Sequence, residues 1–554
     1  MNTAASKTPA PTPILWARQG SYPPRPGNEI QIFIDGQVAY REIAAAFHRA
    51  KQFIYLTISY GDPDFLLVPE SKETFFDILR SRSQEGVDVR MVVWQPATLT
   101  ADTIPDPAPA MIPGVNAGPR SIQARWDKAK GYMGWYSSPH GHFKSLFLYF
   151  PAELGCHHQK TYIMDDGEHG YVAFVGGINP VQSYWDTTYH DSLDARRLDK
   201  KKWSDPLKGL EETPPLHDIF FRLQGPTVGD VLANFVERFN GASLPHADVT
   251  SNVEAPVTPD QIPPVANGIE VQVLRTIAPG TYGTRLHRSL VLVRQLMLGA
   301  LRKFIPETYR QTKYGDRGVR ELYLKALQAA GAGSLVYIEN QYFFDHGIVA
   351  ELYEAAENRG AKIIILLTSK PDEGLLQGKV ESILEKVIVN YRDIFRLMAR
   401  HDNVALLTLG NCRPDPRTPG KFIDDETYIH SKTMAVTSPD WALMTGGSAN
   451  IAFTSMWFHS EMNIAFMDLP LIKNWLAQLW AEHLQISVDD AKERIENPGK
   501  ALKSFKDQAT QNQEALQQGL TPRGRVYPWR GADFPPRDLT GINLDGVYIG
   551  EKCR

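Results

Sequence analysis

HHQKTYIMDD, residues 157–166, and YIHSKTMAVT, residues 428–437, each open an apolar, β-branched run with a His-x-Lys pair. Side chains two apart on a strand share a face. His158 and Lys160 therefore project together with Tyr162, while Thr161 and Ile163 turn away; His430 and Lys432 form the same pair. His157 points to the opposite side and reads as a packed or hydrogen-bonded structural residue. Working outward, the two surroundings match. A Gly-anchored strand, EGVDVRMVVW or RGAKIIILLT, lies upstream, with Gly86 72 residues before His158 and Gly360 70 before His430. A Gly-rich turn follows, GGIN or GSAN, with Asn179 19 residues after Lys160 and Asn450 18 after Lys432. Further upstream, AYREIAAAFHRAK leads into FIYLTISY and RELYLKALQAA into LVYIENQY, each a helical period followed by a strand-forming run.

One long-period duplication explains every pair, and a repeat of more than 270 residues occurring twice is not a solenoid. Alternating helices and continuous apolar strands predict an α/β fold with buried sheets. The expected architecture is two α/β/α sandwich lobes related by a pseudo-twofold axis, with one active site at their interface. The expected boundaries are a Pro-rich arm over 1–27, a first lobe over 28–244 and a Pro-rich linker over 245–268. A second lobe over 269–495 and a helical, wrapping tail over 496–554 complete the chain.

The chain has 554 residues, enough for two core-bearing lobes. Its formal charge of −4, from 59 basic and 63 acidic residues, disfavours a protein built to coat nucleic acid. Cys156, Cys412 and Cys553 are too scattered for a disulfide framework or a structural zinc site. No apolar run approaches the ~20 residues that span a bilayer. The first residues lack an apolar signal core. A cytoplasmic protein is expected, or one exported by a route that needs no signal peptide.

Two His and two Lys around one point suit a tetrahedral anion. The lysines neutralise charge, one imidazole can attack phosphorus and the other can protonate the leaving oxygen. Asn179, Asn450, the Ser448 hydroxyl and the backbone of the Gly turns, including Gly177, are candidate phosphate donors. Zinc is not expected: HHQK lacks ligand spacing, and a neighbouring lysine repels a cation. No cofactor is expected for the chemistry.

These motifs resemble the phospholipase D superfamily, whose signature is a doubled HxKx4D. His158, Lys160 and Asp165 match it fully. In the second copy the Asp position holds Thr437, with Asp440 three residues later as a possible substitute. YIENQYF at residues 337–343 and HDIFFRLQGPTVGDVLANFVERF at residues 217–239 resemble the phosphatidylcholine-cleaving enzymes of plants and other eukaryotes, without their N-terminal calcium-binding, PX or PH modules. The resemblance implies His158 as nucleophile and His430 as acid and base, with Lys160, Lys432, Asn179 and Asn450 on the phosphate and Asp165 in support. It also implies a carboxylate behind each imidazole. Asp218 is expected behind His158 and Glu461 behind His430, while His217 and His459 are expected at the surface or behind the catalytic groups.

A lipid substrate calls for apolar groups at the rim. Tyr132, Trp135 and Tyr136, before the first motif, and Trp457, after the second Gly turn, are the candidates. The expected partners are a bilayer or micelle surface and a water or alcohol acceptor. No nucleic acid partner and a monomeric state are expected, with peripheral action at membranes. The alternatives are a nuclease with the same motifs, a phosphatidyltransferase of the cardiolipin-synthase kind, and an inactive lipid-binding scaffold.

Overall fold

The computed structural model describes residues 15–18, 20, 22–94, 115, 120–127, 135–136, 146–147, 156–167, 169–198, 213–242, 252–278, 315–343, 345–368, 398–414, 422–457 and 459–529. In chain order the first half runs β1 (Arg25–Ile34), α1 (Gly36–Arg49), β2 (Phe53–Ile58), α2 (Phe75–Gln84), β3 (Asp88–Trp94), β4 (Gln123–Asp127), the short hairpin β5 (Trp135–Tyr136) and β6 (Leu146–Phe147), β7 (Lys160–Asp166), β8 (Gly170–Gly176), β9 (Leu216–His217), β10 (Ile219–Gln224) and α3 (Thr227–Gly241). The second half runs β11 (Ile269–Ile277), β12 (Asp316–Arg317), α4 (Gly318–Ala329), β13 (Leu335–Asn340), α5 (His346–Glu357), β14 (Lys362–Leu367), β15 (Val404–Pro414), β16 (Phe422–Ile429), β17 (Lys432–Thr437), β18 (Ala442–Gly447), α6 (Phe453–Trp457), β19 (Glu461–Phe466) and α7 (Leu469–Leu484). The tail adds α8 (Val488–Ile495), α9 (Pro498–Gln517) and β20 (Val526–Pro528).

The duplication is visible strand by strand. The first sheet has the order β4-β3-β2-β7-β8-β10-β1, with β2, β3 and β4 parallel and the remaining pairs antiparallel. The second has the order β15-β14-β13-β17-β18-β19-β11 with the same directions. Antiparallel pairing of β1 with β11, Asn28 opposite Ile269, joins the two.

Strands covered on both faces read as continuous apolar runs. FIYLTI of β2 is buried throughout, with Phe53 and Tyr55 in a core shared by both halves and Ile54, Leu56 and Ile58 under α1 and α2. In β13, Leu335 and Tyr337 enter the shared core while Val336 and Ile338 face α4 and α5. Helices α3 and α7 each follow the last strand of a repeat and contribute to that shared core. The arm is not merely extended: Leu15 and Ala17 are buried against the second half, and the Gln272 side chain bonds the backbone of Ala17 and Tyr22. The tail strand β20 adds to β15.

The departure at Thr437 has a local explanation. The Asp165 carboxylate accepts the N–H groups of Lys51, Gln52 and Phe53 at 2.8–2.9 Å, closing the turn between α1 and β2. It lies five residues along β7 from Lys160 and serves the scaffold. In the second half, Thr437 stands opposite Leu335 as a buried strand end. There the turn is closed by hydroxyls: Ser334 Oγ lies 2.6 Å from Ser438 Oγ and accepts the Gly331 N–H. Asp440 is exposed and takes no such role. Asp165→Ala, which strands three N–H groups, should cost about 2–4 kcal/mol in urea unfolding, whereas Asp440→Ala should stay within about 0.5 kcal/mol.

Candidate active site

The two His-x-Lys pairs lie where the halves exchange backbone. His157 forms a parallel bridge with Ser460, and the His158 N–H donates to the Ser460 carbonyl at 3.0 Å. The mirror contact is β16 on β9, with the N–H groups of His430 and Ser431 both donating to the His217 carbonyl. Each His is thus held by backbone of the opposite half, immediately before that half's carboxylate.

This geometry reverses the expected acid assignment. His158 Nδ1 lies 2.9 and 3.1 Å from the two oxygens of Glu461 and 3.0 Å from the Ser448 carbonyl. His430 Nδ1 lies 2.5 Å from Asp218 Oδ2. The carboxylates are swapped between motifs because each histidine pairs with the strand that enters from the other half. Both carboxylates are fully buried. Burial would raise the Glu461 carboxyl, but the adjacent His158 imidazole outweighs it and holds the group below the ordinary range.

Lys160 and Lys432 open β7 and β17 and are fully buried. Lys432 Nζ donates to Gln341 Oε1 at 2.8 Å and to the His430 carbonyl at 2.5 Å. Asn179 is oriented by the Ser59 N–H on its Oδ1, and its Nδ2 has no protein partner among the described residues. Asn450 Nδ2 reaches Gln341 Oε1 at 3.5 Å.

The Ser448 hydroxyl, expected on the phosphate, is engaged elsewhere. The Ser448 hydroxyl donates to Glu461 Oε2 at 2.6 Å, and its N–H donates to the Met462 carbonyl, so it orients the carboxylate. A Cβ on Gly177 would sit 2.5 Å from Asp218 Oδ2, so glycine there makes room for the acid. Trp457 is not at a rim. It is buried under α4 and α5, its indole donates to Asp345 at 3.3 Å, and the Arg317 guanidinium covers its ring at 4.1 Å. Trp135 and Tyr136 form β5 and pair with Phe147 and Leu146 of β6, and Tyr132 lies outside the described residues.

His157 is fully buried against Arg238, and burial lowers its pKa well below the ordinary value. His459 is buried beside His158, with ring centroids 6.4 Å apart, and burial lowers its pKa too. His217 is also buried, contrary to a surface placement, with its ring between Asp35 and Glu339. Gln341 and Glu339 were missed by the sequence reading. Their signal is polar side chains alternating on the face of Leu335 and Tyr337, at the end of an otherwise apolar strand.

Among the described residues, Asp35, His190, His217 and Glu482 form one close His–carboxylate group, and His217, Glu339 and His483 another. Both His217 nitrogens already face carboxylates at hydrogen-bond distance, so ion pairing accounts for these groups. Among the described residues no helix is long and apolar enough to cross a membrane.

Fold and site together define a duplicated two-lobe α/β protein with one paired His–Lys centre. The family model described as Phospholipase D matches residues 46–365, and the chain belongs to that family. It is 24% identical over 558 residues to phospholipase D gamma 1 of Arabidopsis thaliana, covering 82% of this chain and 63% of that protein. It is 24% identical over 562 residues to phospholipase D alpha 2 of Oryza sativa subsp. japonica, covering 81% and 64%. The chain thus spans less than two thirds of the length of these relatives. Among solved structures, phosphatidylserine synthase of Haemophilus influenzae Rd KW20 aligns with a TM-score of 0.44 at 14% identity, covering 89% of this chain and 95% of that one.

The Glu461 shift has a testable consequence. A carboxyl held below its unfolded pKa stabilises the fold above that unfolded value, and the gain disappears as pH falls toward the folded pKa. The unfolding free energies of wild type and Glu461→Gln should therefore differ at neutral pH and converge on acidification below about pH 4.3, the ordinary glutamate value.

Proposed function

We propose that the protein is a phospholipase D that cleaves the distal phosphodiester of glycerophospholipids, phosphatidylcholine or phosphatidylethanolamine, to phosphatidic acid and free headgroup. The observation that carries the reading is the pair of buried imidazoles, each with Nδ1 on a carboxylate from the opposite half. A carboxylate on Nδ1 fixes the tautomer and directs chemistry to Nε2. In the proposed reaction His158 Nε2 attacks phosphorus and the bond to the headgroup oxygen breaks. His430 gives that oxygen its proton. Water or an alcohol then attacks phosphorus, loses its proton to His430 and releases His158. Lys160, Lys432, Asn179 and Asn450 hold the non-bridging oxygens, with Gln341 setting the Lys432 ammonium. These steps use protein groups throughout and need no metal.

Membership of the phospholipase D family and the relatives named phospholipase D support a lipid substrate over a nucleic acid one. Action is proposed at the surface of a bilayer or micelle, by a monomer. Two imidazoles starting in opposite protonation states predict a bell-shaped pH–rate profile. Phosphatidylcholine vesicles with and without ethanol provide the decisive assay. Choline release with phosphatidylethanol, both lost in His158→Ala, is the expected result. Cleavage of single-stranded DNA without lipid turnover would overturn the substrate and leave the two-histidine chemistry standing. Transfer to a glycerolipid alcohol without hydrolysis would identify a phosphatidyltransferase.

A further inference from the structure

The repeat duplicates the His, Lys, Asn and carboxylate of the site, yet among the described residues a carboxylate–imidazole–carboxylate string lies beside His430, while hydroxyl residues hold the corresponding positions beside His158. Glu339 of β13 accepts four hydrogen bonds: His217 Nε2 at 3.0 Å and Ser431 Oγ at 2.7 Å on Oε2, then Tyr337 OH at 2.6 Å and His483 Nε2 at 2.9 Å on Oε1. The other ring nitrogen of His217 lies 2.8 Å from Asp35 Oδ1. Ionised carboxylates only accept, so an imidazole between two of them carries a proton on each nitrogen. The string therefore runs from second half to first as carboxylate, imidazolium, carboxylate.

Each link touches the His430 half-site without entering it. Ser431 lies between His430 and Lys432. The His217 carbonyl receives the His430 and Ser431 N–H groups. Asp35 Oδ1 also approaches the Asp218 N–H at 3.4 Å, and the Asp35 N–H donates to the Asp218 carbonyl. Strand registers identify the corresponding positions around His158. Thr57 stands opposite Thr161 as Glu339 stands opposite Thr433, Thr276 stands opposite Glu461 where Asp35 adjoins Asp218, and Ser460 precedes Glu461 as His217 precedes Asp218. All three are neutral hydroxyl residues.

We infer that Glu339, acting through doubly protonated His217, is a positioning residue that locks the His430–Asp218 pair and makes the two half-sites unequal. The inference rests on the proposed phosphodiester chemistry. It gives His430, which must hold and release a proton at the leaving oxygen, the rigid mounting. Groups facing His217 agree with the charge state. Burial would lower His217, but Glu339 and Asp35 raise it well above its ordinary value. Burial would raise Glu339, but chiefly His217 holds it well below. Burial likewise favours a neutral His483, whose ring centroid lies 5.0 Å from His217. His190, 5.5 Å from His217, is raised to about 9: Asp35, Asp186 and Glu482 outweigh burial. Glu482 is lowered to about 2, chiefly by His190 against burial, while burial raises Asp35.

The full-length chain with the variants Glu339→Gln and Thr57→Val tests this, using phosphatidylcholine and a phosphatidyl ester of p-nitrophenol, a leaving group that departs without a proton. Glu339→Gln should lower kcat on phosphatidylcholine by roughly 10- to 100-fold with KM within about twofold, as a misplaced proton donor does. It should lose far less on the p-nitrophenyl ester. Its alkaline decline in kcat should set in at lower pH than the alkaline limb of the wild-type profile. A His held charged loses that hold as pH rises through its pKa, and removing one carboxylate brings this pKa into the assay range. Thr57→Val should match wild type. If Glu339→Gln does not fold, Ser431→Ala, which removes one uncharged donor, should reproduce the leaving-group dependence with a smaller loss. Wild-type kcat and pH profile in folded Glu339→Gln, or in Ser431→Ala where Glu339→Gln does not fold, or equal losses on both esters, would overturn the inference while wild-type turnover keeps the lipase reading. Absence of wild-type turnover on both esters would overturn both.

Discussion

Burying a charge without a partner costs several kcal/mol, and this centre buries two lysines and two carboxylates. The constraint is met by exchange: Glu461 of the second half serves His158 of the first, and Asp218 of the first serves His430 of the second. Neither half has a complete pair of catalytic imidazole and carboxylate by itself. Separating the halves would take the His158 imidazole from Glu461 and the His430 imidazole from Asp218. The chemistry and the cohesion of the two halves therefore depend on the same hydrogen bonds.

The scaffold is arranged to make that exchange possible. β1 pairs with β11 and β9 with β16, so the crossing segments are held by backbone before any side chain is placed. The shared core, with α3 and α7 lying in it, dehydrates the junction from behind. Small residues then set the approach. Gly177 admits Asp218, while Ser448 at the corresponding turn donates to Glu461, the acid that is longer by one methylene. One duplicated turn thus accommodates two different acids.

Much of the fold was legible in the residues. Helix and strand periods in AYREIAAAFHRAK–FIYLTISY and RELYLKALQAA–LVYIENQY correspond to α1–β2 and α4–β13, because both sheet faces are covered and local pattern agrees with burial. The HxK motifs and the Asn landmarks converge on one region because repeats place equivalent strand ends together. The acid partners were named and their pairing reversed. Linear order places Asp218 after His158 and Glu461 after His430, and nothing in that order says that strands cross between halves. Trp457 and the Ser448 hydroxyl were misplaced for a similar reason: an aromatic and a hydroxyl near a motif carry no sign of which way they face until Arg317 and Glu461 pack against them.

The sequence by itself determined the duplication, the α/β class and the residue types at the centre, since these follow from periodicity and from repeated spacing, both local or countable. Tertiary structure decided which acid serves which histidine, which polar groups orient a neighbouring side chain, and that Glu339, His217 and Asp35 meet beside His430 while the hydroxyl residues Thr57, Ser460 and Thr276 hold the corresponding positions beside His158. The acid–histidine contacts and the Glu339–His217 contact join residues more than 100 positions apart. They depend on strand register and on the desolvation that makes an unpaired charge intolerable, and no local pattern encodes either.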